Sequence, residues 1–153
     1  MQEATITYPV ADGSVLLIEK KRGIGAGLYN GPGGKVEPGE SPREAARREL
    51  REEIRATVPT VSKVGEIEFV FGVDHYMTVH VYRAPEIEGE PEETPEAKPL
   101  WVDVEAVPYD QMWDDDRYWL PLVLEDRTFR GWFRFDADGD RLRGRFVEPD
   151  VEF

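Results

Sequence analysis

Apolar and polar residues alternate with a period of two along several short segments of the chain, a pattern that predicts β-strands. Two such strands are predicted within residues 4–20, on either side of Asp12-Gly13, a dipeptide typical of a tight hairpin turn. The same reasoning predicts further strands over residues 64–71, 75–83, 100–104, 131–135 and 141–147. We expect the last two to form a second hairpin, because Asp138-Gly139 lies between them.

A helix is predicted from Pro42 to about Thr57. Ser41 is suited to cap its first turn, and Glu44 completes the spacing of a capping box. Pro59 prevents the helix from continuing, because the residue before a proline disfavours helical geometry. Three apolar residues at intervals of four predict the helix face that packs on the core: Ala46, Leu50 and Ile54.

A second helix is predicted to begin at Asp114–Asp116 and to end near Asp126. Two segments are predicted as loops, the glycine- and proline-rich residues 23–39 and the acidic, proline-rich residues 86–99. Strands and helices are therefore mixed, which favours a layered α/β architecture. At 153 residues the chain is long enough for one core, so we expect a single domain over residues 1–153.

The composition excludes several classes of protein. Apolar residues make up 40% of the chain, but the longest apolar runs are strand-sized and far below the ~20 residues of a membrane span. The chain has no cysteine, which excludes disulfides and thiolate metal sites. The amino terminus lacks the pattern of a secretory signal, so a cytoplasmic location is expected.

The charge is strongly acidic, with 32 Asp and Glu against 19 Lys and Arg and a net charge of −13. Such a surface repels nucleic acid polymers and anionic membranes, so neither is expected as a partner. One hypothesis is a high-salt host, since screening within about 3 Å at 1 M salt removes the self-repulsion. An ordinary acidic cytosolic protein explains the composition equally well.

Three glutamates of the first predicted helix cluster on one face. Glu49, Glu52 and Glu53 stand at i, i+3 and i+4, so their like charges are unfavourable without a cation among them. Hard cations such as Mg²⁺ prefer oxygen ligands, and Arg48 can hold a carboxylate in position. The alternative is a solvated acidic face. It is disfavoured because four arginines occupy the other side of the helix: Arg43, Arg47, Arg51 and Arg55.

These residues belong to a longer pattern that resembles the catalytic motif of the Nudix family. The pattern is made by Gly34, Glu40, Arg48, Glu49, Leu50, Glu52 and Glu53. The family continues with a glycine and an apolar residue, where this chain has Arg55-Ala56, a departure that concerns the geometry of the helix exit.

The resemblance implies a Nudix fold, in which a mixed sheet is sandwiched between helices. It also implies hydrolysis of a nucleoside diphosphate linked to another group, with Mg²⁺ or Mn²⁺ as cofactor. By the same resemblance, Glu49, Glu52 and Glu53 bind metal or position the attacking water, Arg48 belongs to the catalytic group, and the Gly34 carbonyl completes the coordination. Which glutamate acts as the base is left open.

Segments outside the motif resemble the MutT homologues of mammals that hydrolyse oxidised purine nucleoside triphosphates. The segments are Lys20–Gly27, Asn30-Gly31, Met112–Asp116 and Tyr118-Trp119, within a likeness that runs from about Thr5 to Phe135. The resemblance implies conversion of 8-oxo-dGTP or 2-oxo-dATP to the monophosphate and pyrophosphate, in the sanitation of the nucleotide pool.

The residues expected to recognise the purine are Asn30, Trp113, Asp115 and Asp116. Trp113 can stack on a base, and Asn30 offers both a donor and an acceptor. If Asp115 and Asp116 both point into an apolar pocket, one takes up a proton, and the pair can then donate and accept. The alternative for these aspartates is a helix cap with an acidic first turn. The remaining residues expected at the substrate are Thr5, Lys20, Gly33, Gly34, Phe69 and Met77.

Some features leave the substrate open. Ile24 and Pro32 stand where the relatives have aromatic residues, and Glu96 aligns with an accessory metal-facing carboxylate or is simply a solvated loop residue. The alternatives are a Nudix hydrolase of ADP-ribose or of a dinucleoside polyphosphate, and a nucleotide-binding regulator without turnover. A monomer or weak homodimer is expected.

Overall fold

The predicted strands form one mixed sheet in the computed structural model, which describes residues 2–23 and 25–153. The described residues form nine strands, namely β1 (Gln2–Ala11), β2 (Ser14–Lys20), β3 (Tyr29–Asn30), β4 (Gly33–Lys35), β5 (Ser62–Phe71), β6 (His75–Ala84), β7 (Ala97–Asp103), β8 (Phe129–Phe135) and β9 (Leu142–Pro149). Their order across the sheet is β3-β2-β1-β6-β5-β8-β9, with β4 beside β1 and β7 beside β2. The pairs β1–β6 and β5–β8 are parallel, and the other pairs are antiparallel.

Both predicted hairpins are confirmed. Asp12 and Gly13 have φ angles of 53° and 76°, the two positive values that a type I′ turn requires, and Val10 pairs with Val15 across it. The second hairpin joins β8 to β9, and both of its strands extend beyond the predicted bounds because their pairing continues to Phe129 and Pro149.

Two of the predicted loops were partly wrong. Residues 23–39 contain β3 and β4, and β7 begins at Ala97, inside the segment predicted as an acidic loop. Asn30 pairs with Ile18 of β2, and Gly34 pairs with Thr5 of β1. Strands β3 and β4 are too short to show alternation, and they form because an existing strand offers its hydrogen-bonding edge.

Helix α1 (Pro42–Ile54) begins as predicted, with both hydrogen bonds of the capping box between Ser41 and Glu44. It ends three residues before the predicted Thr57, because Arg55 adopts a left-handed conformation with φ of 56°. Thr57 then exchanges two backbone hydrogen bonds with Glu88, at 3.1 and 2.7 Å, in an isolated bridge.

The two helices cover opposite faces of the sheet, as the resemblance implied. The predicted core face of α1 is buried with Leu16, Ile18 and Tyr82. Helix α2 (Asp116–Leu124) buries Trp119, Leu120 and Val123 in a second core with Ile67 and Phe133. In the described part of the chain, neither helix has the length and apolar character needed to cross a bilayer.

Candidate active site

Arg48 holds the carboxylates of α1 and of the preceding loop. Its guanidinium donates two hydrogen bonds to Glu40, at 2.7 and 2.9 Å, and further ones to Glu49 at 2.8 Å and Glu52 at 3.1 Å. A fifth bond reaches the carbonyl of Lys35 in β4, at 2.9 Å. The bonds from Arg48 lower the pKa of Glu40 to about 2, with help from the Glu37 backbone. Arg48 therefore fixes the relative positions of the helix and the glycine-rich segment.

Glu53 is bound to the same segment from the other side. The backbone N–H of Gly33 donates to Oε1 of Glu53 over 2.8 Å. Burial raises the pKa of Glu53 to about 7, the Gly33 bond opposes this rise, and the charge of Glu49 adds to it. Burial also raises the pKa of Glu49, against the effect of Arg48.

Gly34 lies directly against Glu49. A Cβ at position 34 would stand 2.3 Å from the carboxyl carbon of Glu49, so only glycine leaves this carboxylate in place. Gly34 pairs with the buried Thr5 of β1, which brings the expected site residues Thr5 and Gly34 together with Glu49.

The carboxylates of α1 have the chemistry of a divalent-cation site. Within residues 2–23 and 25–153, no three acidic or histidine side chains already converge as a complete set of metal ligands. The charge of Glu49 nevertheless raises the pKa of the half-buried Glu53. A cation between them would remove that repulsion, and oxygen ligands are those that Mg²⁺ and similar ions prefer. The residues present thus fit such an ion.

Glu96 and Lys20 lie near this end of the sheet. The charges of both act on Glu53, that of Lys20 lowering its pKa and that of Glu96 raising it. Glu96 is half-exposed and accepts a hydrogen bond from Nε of Arg22 over 3.0 Å. Its loop is fixed to α1, because the hydroxyl of Thr94 donates to the Glu53 carbonyl over 2.6 Å.

Trp113 borders an open cavity of about 390 Å³. Gly25, Leu28 and Phe135 form further parts of its wall, and the Trp113 and Phe135 rings meet edge to face at 6.2 Å. The cavity lies within the size range of small-molecule sites. Asn30 and the two expected aspartates do not line it, among the residues that the structure describes.

Asp115 and Asp116 are buried, with exposures of 3% and 2%. The helix-cap alternative is correct in position, since Asp115 is the N-cap residue of α2 and Asp116 lies in its first turn. The Asp115 side chain makes no capping bond, however, and instead accepts from Nε1 of Trp119 over 2.8 Å. Burial raises the pKa of Asp115 to about 6, and burial with the charge of Asp115 raises that of Asp116 well above its usual range. Burial and mutual repulsion therefore disfavour two negative charges on this pair.

Of the other expected substrate residues, Phe69 and Met77 lie on β5 and β6, whereas Asn30 lies on β3. Phe69 and Met77 pair across β5 and β6, and Phe69 is linked to Trp113 through Phe135, whose ring lies 6.3 Å from that of Phe69. Asn30 accepts from the N–H of Gly31 through Oδ1, at 2.9 Å.

Pro32 and Ile24 are the two residues that stand where the relatives have aromatic residues. The carbonyl of Pro32 accepts from Thr7, so its backbone is part of the sheet edge. Ile24 lies outside the described residues.

Three neighbours of the aspartates were not predicted from the sequence: Tyr8, Tyr109 and Trp119. Trp119 follows Asp115 by four residues, a helical spacing that could have shown the contact. Tyr8 occupies an apolar position of β1, and nothing in the alternation indicates that its hydroxyl lies near an acid.

A mixed sheet between two helices, with partly buried carboxylates facing a glycine-rich strand, defines an α/β domain that can present a cation to an anionic ligand. The chain belongs to the Nudix family, whose NUDIX domain model matches residues 2–123. Members of this family generally use divalent metal cations.

Relatives and solved structures agree with this assignment. The chain is 50% identical to the oxidized purine nucleoside triphosphate hydrolase of Danio rerio, over 87% of this chain and 86% of the relative. It is 46% identical to the protein of the same name from Mus musculus, over 89% and 88%. A crystal structure of the mutator MutT protein from Bacillus halodurans is 30% identical, with a TM-score of 0.87 over 97% of this chain and 98% of that one.

Proposed function

We propose that this chain, as a single domain, hydrolyses oxidised purine nucleoside triphosphates such as 8-oxo-dGTP or 2-oxo-dATP to the monophosphate and pyrophosphate. The observation that carries the substrate class is the buried pair Asp115 and Asp116, which begins two residues after Trp113. The proposal is supported by the names of relatives that match over nearly nine-tenths of this chain. Its biological role is sanitation of the nucleotide pool.

The cofactor in this proposal is Mg²⁺, with Mn²⁺ as an alternative. Glu49, Glu52 and Glu53 hold it, with the carbonyl of Gly34, while Arg48 orients Glu49 and Glu52 through the bonds described above. When bound, the ion screens the triphosphate charge, activates a water and stabilises the leaving phosphate oxygen. One glutamate of this cluster, Glu49, Glu52 or Glu53, would accept a proton from the attacking water.

The phosphates approach from the side of Lys20, whose positive charge acts on Glu53 and Glu96. Gly33 and Thr5 lie in the paired strands β4 and β1, and they form the surface against which the phosphates bind. Glu96, whose charge acts on Glu53, serves as an accessory carboxylate.

The base is recognised by a donor and an acceptor on adjacent residues. A protonated carboxyl donates and an ionised one accepts, so Asp115 and Asp116 together read the polar edge of the base. Asn30 hydrogen-bonds to a second edge of the purine base. Trp113 stacks on the ring, a contact that contributes about 1–3 kcal/mol, and Phe69 and Met77 form the apolar wall.

We also infer that the protein acts on free nucleotides in the cytoplasm, as a monomer or weak homodimer. A net charge of −13 disfavours contact with nucleic acid polymers and anionic membranes. Size-exclusion chromatography with light scattering tests the oligomeric state, and cell fractionation tests the location.

A substrate panel with Mg²⁺ tests the function. It compares 8-oxo-dGTP, 2-oxo-dATP, dGTP, ADP-ribose and a diadenosine polyphosphate by kcat/KM. We expect the two oxidised nucleotides to be the preferred substrates. A clear preference for ADP-ribose or the dinucleotide would overturn the proposed substrate class but not the proposed metal site. Nucleotide binding without turnover of any substrate would favour the regulator instead.

A further inference from the structure

Thr94 lies in the loop between β6 and β7 and is buried, with an exposure of 6%. Its hydroxyl donates to the main-chain carbonyl of Glu53 over 2.6 Å. The same hydroxyl accepts from the main-chain N–H of Glu96 over 3.2 Å. One buried hydroxyl therefore joins the main chains of two glutamates that the proposed function assigns to the metal site.

The bond to Glu53 lies at the C-terminal end of α1. The last four carbonyls of a helix have no partner within the helix, so they need partners from elsewhere. For Glu53 this partner is the hydroxyl of Thr94. For Ile54 it is the backbone N–H of Glu92, at 2.8 Å. The loop before β7 therefore caps the turn of α1 that carries Glu53.

The bond from Glu96 closes a short turn of the loop. A threonine hydroxyl that bonds to the main chain two residues further on is a common local motif. The backbone N–H of Thr94 also donates to the carbonyl of Ala97 over 2.9 Å, at the start of β7. Thr94 thus binds the main chain on both sides of Glu96's Cα position, at Glu96 itself and at Ala97, and holds this part of the loop in one shape.

Lys21, directly after β2, makes two further bonds to the same turn. Its Nζ donates to the carbonyl of Thr94 over 3.1 Å, and its backbone N–H donates to the carbonyl of Glu96 over 3.0 Å. Three segments therefore meet at Thr94, namely the end of α1, the loop before β7 and the end of β2.

The two glutamates differ in how else they are fixed. The carboxylate of Glu53 has a bond of its own from the N–H of Gly33, at 2.8 Å. The side chain of Glu96 is half-exposed and accepts from Arg22, also an exposed residue. The position of Glu96 relative to α1 therefore depends on its main chain, and through it on Thr94.

We propose that Thr94 is a positioning residue, whose hydroxyl holds Glu96 against the end of α1 so that Glu96 and Glu53 serve the same metal site. This inference rests on the proposed function. Without the hydroxyl, the Glu53 carbonyl and the Glu96 N–H lose their shared partner, and the loop is released from the helix. Glu53 keeps its bond from Gly33, so the loss acts mainly on Glu96.

The test is Thr94→Val, which removes the hydroxyl and keeps the branched shape of the side chain. Thr94→Ser keeps the hydroxyl and should behave as the wild type. The matched control is Thr128→Val, because the Thr128 hydroxyl also donates to a main-chain carbonyl, that of Val151 beside the β8–β9 hairpin. Calorimetry measures Mn²⁺ binding to the nucleotide-free protein, and thermal unfolding is measured without metal.

We expect Thr94→Val to weaken Mn²⁺ binding about 3- to 10-fold, the usual effect of losing one hydrogen bond. Thr128→Val should leave the Mn²⁺ affinity unchanged even where it lowers the thermal midpoint. Thr94→Ala also lacks the hydroxyl, so it should match Thr94→Val and takes its place where valine prevents folding.

A double-mutant cycle with Glu96→Gln shows whether Thr94 acts through Glu96. Glu96→Gln alone should weaken Mn²⁺ binding, and adding Thr94→Val to it should weaken binding little further. A purely structural role predicts instead that Thr94→Val has the same effect with and without Glu96→Gln, a result that would overturn this inference.

An unchanged Mn²⁺ affinity in Thr94→Val, with binding weakened by Glu96→Gln, would overturn this inference alone. An unchanged affinity in Glu96→Gln would remove Glu96 from the metal site, and this inference with it. A wild-type protein that neither binds Mn²⁺ nor hydrolyses the oxidised nucleotides would overturn the proposed function as well.

Discussion

The backbone N–H of Gly33 donates to Oε1 of Glu53 over 2.8 Å, and this bond joins β4 to α1. A partly buried carboxylate is thereby fixed in orientation while its second oxygen is left for another ligand. Burial raises its pKa to about 7, so the group is available as a metal ligand or as a proton acceptor near neutral pH.

Glu53→Gln is expected to lower kcat/KM at least about 100-fold, because a neutral amide neither holds the cation nor accepts a proton. The thermal midpoint of the metal-free protein is expected to stay the same or rise, since glutamine can still accept from Gly33 and carries no buried charge. Steady-state kinetics and thermal unfolding measure the two effects. Glu148→Gln, an exposed change on β9, is the control, and unchanged turnover in Glu53→Gln would show that the metal site is assigned wrongly.

Gly34→Ala is expected to displace the carboxylate of Glu49, because the new Cβ would stand 2.3 Å from its carboxyl carbon. The side-chain end can move, so the protein still folds while its affinity for Mn²⁺ and its turnover fall about 10- to 100-fold. Calorimetric titration with Mn²⁺ and kinetics check this. The control is Gly144→Ala in the outer hairpin, which should leave both the Mn²⁺ affinity and the turnover unchanged. An unchanged Mn²⁺ affinity in Gly34→Ala would show that Glu49 is not part of the metal site.

Asp115→Asn is expected to stabilise the protein above neutral pH. The folded-state pKa of Asp115 is raised to about 6, so the folded protein binds the proton more tightly than the unfolded chain. Stability from this group is therefore present at low pH and is lost as pH rises from about 4 through about 6. Asparagine retains an acceptor for Trp119 and removes this loss, which is on the order of 3 kcal/mol for a pKa shift from 3.8 to about 6.

Urea unfolding of the wild type and of Asp115→Asn across this pH range measures the difference. The two curves should meet at low pH and separate as pH rises. Parallel curves would show that Asp115 is not shifted in the folded protein.

Arg55→Gly is expected to stabilise the protein by about 0.5 kcal/mol, because glycine adopts the left-handed conformation without the strain of a side chain. Arg55 ends α1 with φ of 56° and donates its N–H to the carbonyl of Arg51. The control is Arg51→Gly inside the helix, which should destabilise by about 1 kcal/mol. A loss of stability in Arg55→Gly would mean that the arginine side chain makes a contact that outweighs the strain.

Local signals explain what the sequence predicted of the fold. The capping box of Ser41 and Glu44 and the positive-φ turn at Asp12-Gly13 depend on a few adjacent residues, so both could be predicted. The end of α1 could not, since Arg55 takes a left-handed conformation that favours glycine, and the chain beyond it is held by the pairing of Thr57 with Glu88. Strands β3 and β4 were missed for the same reason, because long-range pairing and not alternation makes them strands.

Some residues of the candidate site could likewise be predicted from local spacing, and others could not. The glutamates of α1 share a face by helical geometry alone, so their clustering followed from the spacing. The burial of Asp115 and Asp116 depends on Trp119 and on packing against β1, and a helix start rich in aspartate is more often a solvated cap. The nearness of Tyr8 to these acids comes only from the sheet order.

The most direct measurement is the ratio of kcat/KM for 8-oxo-dGTP and for dGTP with Mg²⁺, with the products identified. We predict a clear preference for the oxidised nucleotide and release of 8-oxo-dGMP with pyrophosphate, because the proposed function assigns the base to the buried carboxyl pair and the phosphates to the α1 glutamates. Equal turnover of the two nucleotides, or release of orthophosphate in place of pyrophosphate, would contradict the proposed function.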